Sequence, residues 1–225
     1  MSDAPAPVLA AELIRWSWVG DHLDDIRGYL FQHVQLTVLA VLFGLLLAFP
    51  LALVAVRWPR TYGPVLGFTG VLFTIPSLAL FILLIPFTGL SVRTSLIGLT
   101  IYTLLILVRN IVEGLRGVDP DVREAAQAMG YTPARQLLQV ELPLALPVIM
   151  AGIRIATVTT IGLVTITALI GQGGLGQLFI EGFTRNFATP ILVGIVLSAL
   201  LAFAADLALV GLQRQLTPWA RSRGS

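Results

Sequence analysis

Five stretches of this chain, at 34–56, 64–87, 95–112, 146–170 and 190–212, are long, apolar and nearly free of charge. A run of about 20 such residues can hide its backbone polar groups within a single helix, and that helix matches the hydrocarbon thickness of a bilayer. The expectation is an all-α fold: a polytopic membrane protein with about five transmembrane helices. Composition agrees, since 56% of the 225 residues are hydrophobic, 12% are charged and the mean hydropathy is +0.90, outside the range of ordinary soluble domains. The chain has no cysteine, which excludes disulfides and thiolate metal sites. It also has no lysine, so all 14 cationic side chains are arginine and the phosphate-gripping lysine of a P-loop is missing. If ATP drives this protein, a separate chain must bind it.

Between the third and fourth runs lies a polar island, DPDVREAAQAMGYTPARQLLQVELPLALP, at 119–147. Asp119 is placed to cap a helix that starts at Pro120, and Asp121 complements the positive end of its dipole. Val122, Ala125, Ala126 and Met129 then share one face, and Gly130 suits a left-handed stop. Thr132 and Pro133 repeat the cap-then-proline signal, predicting a second helix over 133–141. Pro143 and Pro147 mark the return to apolar sequence. The loop at 119–145 therefore reads as an L-shaped helix pair.

The rest of the chain is arranged around that loop. Residues 1–10 lack the basic stretch of a signal peptide and read as a disordered tip. The segment 12–31 mixes Trp16, Trp18 and Tyr29 with acids, which suggests an interfacial N-terminal segment, 1–33 in all, outside the membrane. With five spans, ten arginines fall on the side of the island and four on the other. By the positive-inside rule the island and the tail at 214–225 are cytoplasmic and the N-terminus is outside.

Seven positions of the loop, Glu124, Ala125, Ala126, Gly130, Val140, Leu142 and Pro143, resemble the loop signature of the permease subunits of ATP-binding-cassette importers, with valine where isoleucine is commonest. Other segments resemble the osmoprotectant importers for glycine betaine, carnitine or choline: TIPSLAL at 74–80, LVRN at 107–110, ELPLALPVIMAGIR at 141–154 and ALIGQGGLG at 168–176. Ile106 departs from that pattern, standing where those permeases usually carry a proline. The resemblance implies the importer permease fold in a bacterial inner membrane. It further implies a coupling-helix pair seated on a cytosolic ATPase subunit, which binds the ATP and magnesium; this chain itself holds no cofactor. It also implies a second permease copy or a related permease, and an extracytoplasmic substrate-binding protein. Nucleic acid is not an expected partner.

The possible substrate pathway is less defined. Gly171, Gly173 and Gly176 match a dinucleotide fingerprint literally, but they follow a membrane span rather than a strand. With Gly174 they form either a tight turn at the outer mouth or a gate. Threonines crowd the fourth run; they serve helix packing, or Thr157 and Thr160 line a path. Asp206 needs a partner or a wet surface at its depth, and His22 and His33 read as interfacial residues without metal-like spacing. Two alternatives remain open: a methionine-type importer permease, which shares the loop and the glycine-rich stretch, and a stand-alone ion-coupled secondary transporter. The second would need several embedded ionisable residues, and Asp206 alone qualifies. No cluster of nucleophile, base or metal ligands suggests an enzyme.

Overall fold

The computed structural model describes residues 14–219. The expected tip at 1–10 lies outside the described residues, as do Arg221 and Arg223 of the expected tail. Among the described residues every regular element is helical. Four helices are long and apolar enough to cross a bilayer, and a bent pair can count as a fifth.

The N-terminal segment is not an element separate from the first apolar run. A short helix, α1 (Trp16–Asp21), stops at His22, whose ring stacks on Trp18 with 4.3 Å between centroids. From there α2 (Leu23–Arg57) runs 35 residues, through Pro50, as one helix. Nothing between Leu23 and Val34 breaks it, and Asp24 and Asp25 suit the positive end of its dipole. At 1.5 Å per residue it is roughly 50 Å long, so it outreaches a hydrocarbon core of about 30 Å.

The second apolar run is two helices, not one. α3 (Pro59–Thr74) and α4 (Ser77–Thr88) meet at 93°. Pro76 has no N–H to continue the ladder, and it forces Ile75 into an extended conformation with φ −62° and ψ 127°. The Ile75 carbonyl freed by this break accepts the Tyr102 hydroxyl of α5 (Val92–Arg116). Helix α5 itself continues through Ile106 without interruption.

α5 is the central helix. Leu107, Val108, Ile111 and Leu115 on it pack against Ala48, Ala52 and Ala55 of α2 and against Ala145, Ile149 and Ala156 of α8 (Leu142–Ile166). Ala40, Gly44, Ala48 and Ala52 recur every fourth residue along α2 and all are buried. A side chain at Gly44 would collide with Thr103, so close approach of the two backbones requires this stripe. Between lipid-embedded helices, which gain little from apolar burial itself, such close packing is the main source of association.

Beyond α8 come a 3₁₀ turn (Thr167–Ile170), a glycine-rich bend, the short α9 (Gln177–Thr184), which the apolar pattern did not reveal, and α10 (Ala188–Leu216). Helix α10 leaves Ile195, Val196, Leu200, Phe203 and Leu207 exposed.

Candidate functional site

The polar island folds as α6 (Pro120–Ala128) and α7 (Pro133–Gln136). Asp119 caps α6, its carboxylate accepting the Asp121 N–H at 2.9 Å, and Thr132 caps α7 at the Arg135 N–H. Gly130 takes φ +80° at the bend, where its missing Cβ removes the steric cost. One expectation fails. The second helix does not end near 141: a π turn (Leu137–Glu141) carries α7 directly into α8, so the unit from Pro133 to Ile170 is continuous. Pro143 is tolerated because it falls in the first turn of α8, where the hydrogen-bond register is changing and a missing N–H costs little.

This arm is tethered rather than loose. Arg123 of α6 donates to the Leu115 carbonyl near the end of α5, and its Nε lies 3.9 Å from Glu141 at the start of α8. Glu141 also accepts the Gln136 side-chain amide at 2.7 Å. Arg116 beside them donates to the Ala55 carbonyl of α2 at 3.0 Å and sits 4.2 Å over the Tyr62 ring. α6 is thus joined to α5 and α8, two of the three helices of the central core.

The outer surface of α6 is open. Of the stripe Val122, Ala125, Ala126 and Met129, only Ala126 is buried, and Met129 is 68% exposed. The Glu124 and Ala125 side chains also face out, and no hydrogen bond or ion pair is made by the Glu124 carboxylate among the described residues. Leu138 is exposed too. Val140 and Pro143 border a shallow hollow shared with Trp219, and Leu142 packs partly against the core. Behind the arm, a cavity of about 580 Å³ is lined by Leu53, Arg57, Arg123, Gln127, Tyr131 and Glu141 among others.

At the opposite end the glycine-rich bend is packed, not open. Gly174 (φ +50°) lies against the backbone of His33, Gly173 against Ala168 and Gly176 against Thr165, so a side chain at any of the three would collide. Only Gly171 (φ +79°) is exposed and unobstructed. His33, read from sequence as interfacial, is fully buried here. Its Nδ1 accepts the Leu175 N–H at 3.3 Å, which leaves Nε2 to donate to the Ile161 carbonyl at 3.0 Å. Gln32 completes the clamp, accepting from the Gly174 N–H and donating to the Gln172 side chain. The signal for this pair was available: a buried polar group within an apolar helix must find partners.

Of the two threonines singled out, Thr160 is buried and returns its hydroxyl to the Ala156 carbonyl, and the half-buried Thr157 does the same to Ile153. The polar group that does face an opening is one the sequence left without a partner. Asp206 of α10 receives two hydrogen bonds from Arg154 of α8, Nε to Oδ1 at 2.7 Å and a terminal nitrogen to Oδ2 at 2.9 Å. Arg154 belongs to the ten arginines counted on the side of the island, although it lies inside the fourth apolar run.

Spanning helices packed through small residues, with a polar arm pinned between the third and fourth apolar runs, define a transport permease of the membrane. This chain belongs to the family of binding-protein-dependent transport system inner membrane components, which matches residues 35–218, and it is a multi-pass protein of the bacterial inner membrane. It is 37% identical over 193 residues to the choline transport system permease protein OpuBB of Bacillus subtilis, covering 86% of this chain and 89% of the relative. It is 40% identical over 206 residues to the osmoprotectant import permease protein OsmW of Salmonella typhimurium, covering 88% and 96%. Among solved structures it is similar to the MetNI methionine ABC transporter, with a TM-score of 0.76, 25% identity and coverage of 84% of this chain and 94% of that one.

Proposed function

We propose that this chain is the membrane-spanning subunit of an ATP-driven importer for small osmoprotectants such as glycine betaine, carnitine or choline. Its α6–α7 arm faces the cytosol and is the grip for a separate ATPase, which binds ATP and magnesium. A second permease, a copy or a relative, completes the pathway, and a substrate-binding protein delivers from outside. The substrate class follows the relatives, two of which are named for choline and osmoprotectant transport.

The observation that carries the coupling role is the contrast between the two faces of α6. One face is pinned through Arg123 to α5 and α8, while the other leaves Glu124, Ala125 and Met129 without partners. An element held rigidly to the core and bare on its outer side can pass a displacement to the bundle as a body. The arginine bias supports the orientation even when Arg109, paired with Glu113 on α5, and Arg154 are set aside, since eight against four remain.

The test is purification in mild detergent followed by reconstitution. An ATPase subunit is expected to copurify, and vesicles are expected to take up labelled glycine betaine, carnitine or choline only when supplied with ATP. Uptake that follows a sodium or proton gradient, with no ATPase bound, overturns the proposal.

A further inference from the structure

We infer that Arg154, Asp206 and Thr159 form a transit site, inside the spans on the side of the arm, for a zwitterion carrying a carboxylate and a quaternary ammonium. This inference rests on the reading of the chain as one of two permeases in an osmoprotectant importer, and it narrows the substrate class.

Depth comes first. Arg154 lies 12 residues into α8, and Asp206 lies 10 residues before the end of α10. Measured from the ends of the apolar runs 146–170 and 190–212, at 1.5 Å per residue, they lie roughly 12 and 9 Å inside the edge nearer the arm, within a hydrocarbon core of about 30 Å. Neither side chain is sealed, since they are 33% and 31% exposed. A half-open ion pair at this depth is costly against lipid tails, and such groups face a bundle interior or a wet cavity. The open flank therefore belongs to the space that a second permease closes.

The site also has unused bonding capacity. The two hydrogen bonds to Asp206 occupy one edge of the guanidinium, leaving three of its five N–H donors, and each carboxylate oxygen keeps a lone pair. Thr157, Thr160, Thr165 and Thr167 all return their hydroxyls to helix carbonyls. Thr159 makes no such bond among the described residues, and it lines the same cleft of about 480 Å³ with Ala151, Ile155 and Val158. The free guanidinium edge suits a carboxylate in the bidentate manner. The apolar wall suits methyl groups, and the free side of Asp206 suits the ammonium charge. The pair sums to zero charge, so a ligand that is itself neutral overall disturbs it least, whereas a plain cation finds no carboxylate-binding use for Arg154.

The experiment uses the complete transporter in liposomes, with ATP and an excess of substrate-loaded binding protein so that external recognition is saturated. Uptake of glycine betaine and of choline is compared for the wild type, Thr159→Val, Arg154→Lys and the double variant Arg154→Asp/Asp206→Arg. The double variant preserves a charge pair between α8 and α10 but reverses the polarity of the site. Arg154→Lys keeps the charge without the planar fork and serves if the double variant does not assemble. The expected result is a loss of glycine betaine uptake at least about tenfold greater than the loss of choline uptake, the scale of a missing charge-assisted hydrogen bond. A severalfold fall in the maximal rate of glycine betaine uptake is expected in Thr159→Val. If the wild type carries no choline, the maximal rate for glycine betaine per ATP hydrolysed decides, and an unchanged value in Arg154→Lys overturns the inference. Equal losses for both substrates, or full activity in the double variant, also overturn it and make the pair a clasp between helices. Failure of the wild type to take up any osmoprotectant with ATP instead overturns the proposed function.

Discussion

Gly174 and Gly171 separate two reasons for a glycine that look alike in sequence. Both have positive φ, which costs an ordinary residue about 1–2 kcal/mol. Gly171 has open space where a side chain would go, while Gly174 has the His33 backbone there. Gly171→Ala is therefore expected to cost no more than that backbone term, and Gly174→Ala to cost clearly more, because the clamp made by Gln32 and His33 must also shift. Thermal unfolding of the purified protein in detergent checks the order of the two variants, and equal shifts would remove the case for the clamp. In the sequence the run of glycines reads as either a tight turn or a gate. That Gly173, Gly174 and Gly176 serve close packing depends on His33, Ala168 and Thr165 arriving from elsewhere, and no local pattern reports that. Likewise the need of Asp206 for a partner was legible from its depth, but the identity of Arg154, 52 positions away, was set by which helix faces packed.

At the level of elements, the coupling role proposed for α6 requires two separable duties, docking and tethering. Glu124→Lys reverses the charge of an outward group that makes no internal bond, so the fold has no reason to change, and loss of the ATPase from the purified complex is expected. Arg123→Ala leaves the outer surface intact and removes the ties to Leu115 and Glu141. Its expected outcome is a complex that still holds the ATPase and still hydrolyses ATP, with uptake per ATP reduced severalfold. Identical behaviour of the two variants in copurification and coupled uptake would show that tether and grip are not distinct. The caps at Asp119 and Thr132 and the bend at Gly130 were legible because each depends on one or two neighbouring residues. The π turn was not. Whether Pro143 ends a helix or sits harmlessly in a first turn depends on how α7 and α8 are held in line, and sequence spacing alone does not carry that. The same holds for α3 and α4, whose apolar run carries Pro64, Pro76 and Pro86, and spacing alone does not say which of the three breaks it. Pro76 does so with the Ile75 carbonyl satisfied by Tyr102, whereas Pro86 stays inside α4.

Over the whole molecule, the two ends of the bundle differ in kind. One gathers the C-terminus of α2, the tethered arm and Arg116; the other gathers the glycine clamp, α9 and the start of α10, where Arg15 donates to Thr189 and sits 5.1 Å from the Phe187 ring. Placing the first end in the cytosol puts the ATPase grip where ATP is, and the natural absence of cysteine makes this directly testable. Ala125→Cys and Ala188→Cys each introduce a single thiol at an exposed position, one at each end. A membrane-impermeant maleimide added to intact spheroplasts is expected to label the thiol at 188 and not the one at 125, and the pattern should invert in inside-out vesicles stripped of the ATPase. Labelling of position 125 from outside would place the arm beyond the reach of any cytosolic motor. The glycine clamp would then lie on the cytosolic side, and both the coupling role of α6 and the direction of import would fall together, because each depends on the same end of the bundle meeting the ATPase.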